Sequence, residues 1–155
     1  MTNWLQTLRR AAVSGTAANT LSLAALTVGG VRDCRSAFAP VNAVSHWIWA
    51  RRALRQEDGS LRYTLPGYAI HHAASVFWAL FYEEGVAWLR PAGAAQHLGA
   101  GASVAAITCF VDLRMTPERL TPGFERRLSN QSLAWVYLAF GVGLALPEVL
   151  KAIRR

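Results

Sequence analysis

The sequence predicts an all-α integral membrane protein: a four-helix bundle with an additional short amphipathic interfacial helix between spans one and two. Three observations predict it. Of the 155 residues 53% are hydrophobic and only 16% are charged, against about 25% charged in average soluble domains, and mean hydropathy is positive at +0.21. The apolar residues fall into long runs, and a hydrocarbon core of about 30 Å needs roughly 20 helical residues to cross it. Arginines gather at the ends of those runs, where positive side chains meet headgroups and set topology.

The same placement decides the expected partner. A net charge of +7 would point to nucleic acid in a soluble protein, but the chain has no aromatic-basic binding motif, and all but Lys151 of the 16 positive residues are Arg. The lipid bilayer is therefore the partner expected, and nucleic acid is not. The length suits one transmembrane domain, residues 1–155, without room for a soluble module beside several spans.

The first span is expected at about residues 11–31. Arg9 and Arg10 precede it as they would a signal peptide, but the apolar run extends over about 20 residues, carries Ser, Thr and Asn, and lacks a small-x-small cleavage site. It reads as a retained span. Residues 40–56 differ, because their apolar part is too short to cross. Val41, Val44 and Ile48 share one helical face, Trp47 and Trp49 flank it, and Arg51, Arg52 and Arg55 follow. An interfacial helix is expected, a re-entrant one being the alternative, with Trp47, Trp49, Arg51 and Arg52 as headgroup anchors.

The second span is expected at about 65–89. Pro66 suits a first helical turn, where a missing amide hydrogen costs nothing, and Pro91 closes the helix. A third span at about 92–113 follows so soon that the two form an antiparallel hairpin. The connection after it holds two Thr-Pro turns and balanced charges and reads as an ordered surface segment. The fourth span is expected at about 128–153, with Ser129 as N-cap and Pro147 kinking it or marking its exit from hydrocarbon. The two loops on one side of such a topology carry ten positive residues and the side with both termini six, whereas Arg9 and Arg10 before the first span argue the opposite way. The charges fix no orientation.

Residues 68–85, YAIHHAASVFWALFYEEG, raise the question of function, because four titratable groups sit in or beside an apolar span. His71, Ser75, Trp78 and Tyr82 form one helical stripe with His72 and Glu83 beside it. In the third span His97, Gly101, Thr108 and Asp112 form a second. Two facing stripes would bury each other's polar groups, and antiparallel packing would then gather Glu83 or Glu84 with His97, and His71 or His72 with Asp112, joined by His46. His71 and Glu83 are about 18 Å apart along the axis and cannot ligate one metal. Haem, metal or quinone binding is the sharp reading of these histidines, and a proton relay is another. The plainer reading is hydrogen bonding to neighbours, favoured because no dense ligand motif such as paired Glu-x-x-His accompanies them; on it the chain has no cofactor and no metal site. Catalytic motifs are absent, so no catalytic residue is assigned.

The third span is rich in small residues, with Gly93, Gly99, Gly101 and Ser103 at packing spacings, and is expected to be the central packing helix or a self-association face. Cys34 and Cys109 match no metal spacing and read as unpaired thiols. A non-enzymatic protein acting by association, in a homo-oligomer or a larger membrane complex, is the function expected. A cofactor protein and a small proton-conducting or transport protein are the alternatives.

The order YTLPGYAIHHAASVFWALFYE, a Gly/Ala-rich span, DLRMTPERLTP, ERRLSNQSLAWVY and a closing span resembles the YagU-type bacterial inner-membrane proteins over residues 63–155. The longer cysteine-bearing loop of that family is replaced here by the tryptophan-rich segment. The resemblance implies a multi-pass protein of the bacterial inner membrane with a role in stress or acid tolerance, to which a histidine titrating near neutrality would be suited. It implies no catalytic residues.

Overall fold

The computed structural model describes residues 4–154, and no strand occurs among them. The helices are α1 (Trp4–Cys34), α2 (Ala39–Val44), α3 (His46–Trp49), α4 (Thr64–Leu89), α5 (Ala94–Phe110) and α6 (Asn130–Ile153). Three stretches are long and apolar enough to cross a membrane, Trp4–Cys34, Ala94–Met115 and Asn130–Ile153, which points to a membrane protein. The 26-residue α4 stays outside that set. It carries two histidines and two glutamates, whose strong hydration offsets its aliphatic content.

Helix boundaries follow from local chemistry. Pro66 lies in the first turn of α4. At its end Arg90 takes a left-handed conformation with φ 48°, donates its amide to the Val86 carbonyl at 2.9 Å, and is followed by Pro91, which cannot extend the helix. Ser129 caps α6, accepting from the Ser132 amide at 3.3 Å, while its own amide donates to Asp33 at 2.8 Å and ties α6 to the end of α1. Pro147 sits inside α6 without ending it. Beyond Phe110 the helix widens into a π turn, Val111–Met115, in which the Thr116 amide and hydroxyl both reach the Val111 carbonyl at 2.9 Å.

The central packing helix is α1, not the third span. It lies against both α4 and α6, and α5 packs chiefly on α6. Its inward face is small: Ala11, Ser14, Gly15, Ala18, Ser22 and Gly29 are all buried. A Cβ on Gly15 would lie 2.7 Å from the Val76 Cα of α4, and one on Gly143 of α6 would collide with Ala18. Between α5 and α6, Gly101 and Gly141 meet backbone to backbone, a Cβ on Gly141 falling 2.9 Å from the Gly101 carbonyl. Of the four small residues expected to pack within the third span, Gly101 alone does so. Gly93 and Gly99 have nothing within 4 Å of their Cβ position and Ser103 is exposed. Between helices in lipid, close backbone approach supplies the dispersion contacts that apolar side chains cannot, because lipid tails are equally apolar. Which helix has small residues turned inward therefore decides which helix is central.

The segment expected to be one interfacial helix at 40–56 is broken into α2, α3 and a 3₁₀ turn, Ala50–Arg55. A helix resting on a bilayer would leave its polar side wet, whereas all six residues of α2 are buried. Asn42 accounts for this: its Nδ2 donates to the carbonyls of Gln56 at 3.3 Å and Asp58 at 2.9 Å, and its Oδ1 accepts from the Thr64 hydroxyl at 2.6 Å. Ser36 adds a bond from its hydroxyl to the Glu57 carbonyl while accepting from the Ala39 amide. With its polar atoms satisfied internally, α2 plugs the space between α1 and the start of α4. There a Cβ on Gly67 would collide with the Val41 carbonyl. The anchors expected from sequence follow it. Trp47 and Trp49 donate their indole N–H groups to the carbonyls of Thr121 and Arg62, each at 2.9 Å, and the Arg62 guanidinium lies 4.7 Å over the Trp49 ring. Arg51 and Arg52 are exposed in the turn beyond.

Two substitutions separate the packing helices. Gly143→Ala should lower stability in detergent by about 1–3 kcal/mol, because the added methyl meets α1 backbone. Gly99→Ala, in open space, should change it by no more than about 0.5 kcal/mol. Equal losses in thermal unfolding would contradict the packing described.

Candidate functional site

The polar stripe read along the second span is present: His71, Ser75, Tyr82 and Glu83 are buried on one side of α4. Its partner is α1, not the third span. Ser22 Oγ lies 3.0 Å from His71 Nε2, Ser14 donates to Glu83 at 2.8 Å, and Thr7 donates to Glu84 at 3.0 Å. The expected glutamate–His97 cluster is replaced by these contacts, and His97 Nδ1 meets the Tyr82 hydroxyl at 3.2 Å instead. That is the one side-chain hydrogen bond between α4 and α5 among the described residues. The physical reason is reach. The small face of α1 brings hydroxyls to α4, whereas α4 and α5 share far less surface.

The second stripe, His97, Gly101 and Thr108, is likewise buried. Asp112 extends it into the π turn, which carries its carboxylate to the Tyr137 hydroxyl of α6 at 3.0 Å. The other expected cluster is thus split into two pairs, His71 with Ser22 and Asp112 with Tyr137. Both pairs nevertheless line one cavity of about 480 Å³. Its remaining wall is largely apolar, from Ile70, Ala74, Phe77 and Trp78 of α4, Val111, Val136 and Phe140, with Leu120, Pro122 and Phe124 of the connection closing one end; the hydroxyls of Ser75, Thr108 and Thr116, also in the wall, donate to backbone carbonyls. Near the hairpin turn α4 and α5 meet through Tyr82 and His97; further along, the cavity occupies the space between them.

Proton positions at this end follow from the partners. Ser22 also reaches the Ala18 carbonyl at 2.8 Å. With its single hydrogen donated there, its oxygen accepts from His71 Nε2–H, and Nδ1 keeps a lone pair that no described residue engages. Asp112 is an acceptor as well, so the polar end of the cavity offers acceptors. His72 is half-buried, stacked on Tyr68 with ring centroids 6.0 Å apart, and its Nδ1 has no partner among the described residues. His46 does not join this group. It lies on the other side of Trp47, with Nδ1 2.9 Å from the Ala43 carbonyl.

Among the described residues no three His, Cys, Asp or Glu side chains converge as a metal would require, and Cys34 and Cys109 are both free. Sequence reasoning missed Tyr137, Ser22, Ser14 and Thr7. The signal available was demand: each buried acid or imidazole in a span needs a partner, and hydroxyls at positions 7, 14 and 22 recur at two-turn spacing. Comparison with protein-family models, with curated proteins and with solved structures found no match to this chain.

Removing one member of a buried pair strands the other. Tyr137→Phe should therefore cost about 1–3 kcal/mol of stability, while Tyr137→Phe combined with Asp112→Leu should recover part of that loss. A double-mutant cycle in detergent unfolding checks this, and strict additivity would show that the pair is not coupled.

Proposed function

We propose that this chain is a multi-pass membrane protein with four spans, α1, α4, α5 and α6, arranged as a four-helix bundle, and that its role is to bind a lipid-soluble molecule. The support for the fourth span is length and orientation. At 1.5 Å per residue α4 reaches about 39 Å, more than a hydrocarbon core requires, and its polar residues turn towards α1. The observation that carries the binding role is the cavity between α4 and α5, whose volume of about 480 Å³ falls within the range of small-molecule sites, roughly 300–1,000 Å³. Apolar walls with acceptors at one end suit a long-chain molecule whose polar end donates, such as a quinol or another hydroxyl-bearing lipid. His71 Nδ1 and Asp112 receive that hydroxyl.

A proton path is less well supported. The His71 and Glu83 ends of α4 are about 18 Å apart, and Ala79, Ala105, Phe140 and Leu144 form an apolar core on that part of the bundle. Association with another copy or a larger membrane complex is a second reading, favoured by the uncovered side of α5 at Gly93, Gly99 and Ser103. Location in a bacterial inner membrane belongs to the proposal through the YagU-type resemblance.

The test is lipid analysis of protein purified in mild detergent. A hydroxyl-bearing, long-chain molecule should co-purify at a stoichiometric level, be excluded by Ala74→Phe, which fills the cavity, and bind about tenfold more weakly to His71→Leu, the loss of one hydrogen bond. Unchanged lipid content in Ala74→Phe would sink the reading.

A further inference from the structure

A second cavity, of about 510 Å³, lies on the other side of Trp47, between the turn that follows α3 and the connection leading to α6. Arg51, Arg119, Arg126 and Glu118 line it, with His46 among its walls. Arg126 is paired with Glu118 at 2.6 Å and Glu125 at 3.8 Å, but Arg51 and Arg119 make no hydrogen bond or ion pair among the described residues. Two guanidinium groups at one opening are thus unpaired among the described residues.

His46 lies in the wall of this cavity. It is 7% exposed, and because a carbonyl can only accept, its Nδ1 carries the hydrogen donated to Ala43 O. Its buried Nε2 meets no polar group among the described residues, although a buried polar atom without a partner is costly. Gly123 makes this arrangement possible. With φ 87° it lies so close that a Cβ would stand 2.6 Å from His46 Nδ1 and 2.5 Å from the Ala43 carbonyl, so the connection carrying Arg119 and Arg126 is seated directly on the imidazole.

We propose that this cavity binds the phosphate of an anionic lipid headgroup. Arg51 and Arg119 supply forked donors that match phosphate oxygens. A lipid source rather than free phosphate follows from the surroundings. Ile48 is 56% exposed and Trp47 38% exposed at the same opening, which places apolar surface and an indole beside the charges, as at the headgroup level of a bilayer. The site shares only Trp47 with the cavity between α4 and α5, so the two proposals fail separately.

The experiment measures phospholipid retained by the purified full-length chain, by native mass spectrometry, after exchange into nanodiscs of phosphatidylcholine with or without phosphatidylglycerol. The wild type should retain phosphatidylglycerol selectively. Arg51→Gln with Arg119→Gln should weaken retention roughly 30-fold, each surface arginine being worth about fivefold. Arg52→Gln with Arg55→Gln removes the same charge from the same turn outside the cavity and should leave retention within about twofold, the mutual-attraction loss being screened. Neither pair engages its guanidinium groups with described residues, so both variants should fold, and thermal unfolding confirms it. Equal weakening by both pairs would reduce the effect to general surface charge and overturn the site. Inorganic phosphate competing at millimolar concentration and replacing the lipid would overturn the lipid source, as would indifference of the wild type to headgroup.

Discussion

Hydrocarbon offers no hydrogen bonds, so the imidazole and the two acids that α4 turns inward need partners from another helix, and α1 is the helix that supplies them. Thr7, Ser14 and Ser22 are small enough to let α4 come close, and each carries a hydroxyl. They meet Glu84, Glu83 and His71 in turn, so the contacts descend α4 as they climb α1 and fix the two helices antiparallel. On its other flank α1 receives Gly143 of α6 against Ala18. Bulk anywhere on this face would separate α4 and α6 together and strand three polar groups at once. Interhelical hydrogen bonds in membranes average well under about 1 kcal/mol each. Their weight here lies in the cost of leaving an acid or imidazole without a partner.

The remaining architecture completes what this contact leaves open. Around the hairpin end a core forms from Ala11, Ala18, Tyr82, Phe140 and Leu144. At the opposite end Leu26, Val44, Phe124, Leu128 and Tyr137 form a second, built partly from the connection before α6 and from the buried α2. Between them α5 is held to α6 through Gly101 and Gly141, which draws it away from α4. The cavity is the geometric result of α4 being claimed by α1 while α5 is claimed by α6.

Much of this was legible in the sequence. Helix positions followed from run length and from Pro66, Pro91 and Ser129, and the buried sides of α4 and α5 followed from the spacing of His71, Ser75 and Tyr82 and of His97, Gly101 and Thr108. The pairing of those sides was not legible. Small residues occur on α1, α5 and α6 alike, and periodicity reports which residues share a side but not which helix covers it. Ser14 and Ser22 could not be singled out, because a hydroxyl satisfied by its own helix and one that serves a neighbour look the same in sequence. Tyr137 was missed because it sits among apolar residues of α6, and only the π turn brings Asp112 to it. Residues 40–56 were misjudged because an amphipathic count registers Val41 and Val44 but not that Asn42 finds three partners in the chain that follows.

The widened turn at Val111–Met115 makes this part of the chain sensitive to length rather than to composition. A π turn closes on the fifth residue, so the segment holds one residue more than an ordinary helix of the same hydrogen-bond pattern would. Loss of any one of these residues would let the helix close as an ordinary α turn, removing the widened stretch in which Asp112 and Thr116 find their partners. Exchange of Val111 or Leu113 for another aliphatic residue leaves the count intact. The segment thus tolerates spelling changes but not insertions or deletions, a constraint invisible to any measure of hydropathy.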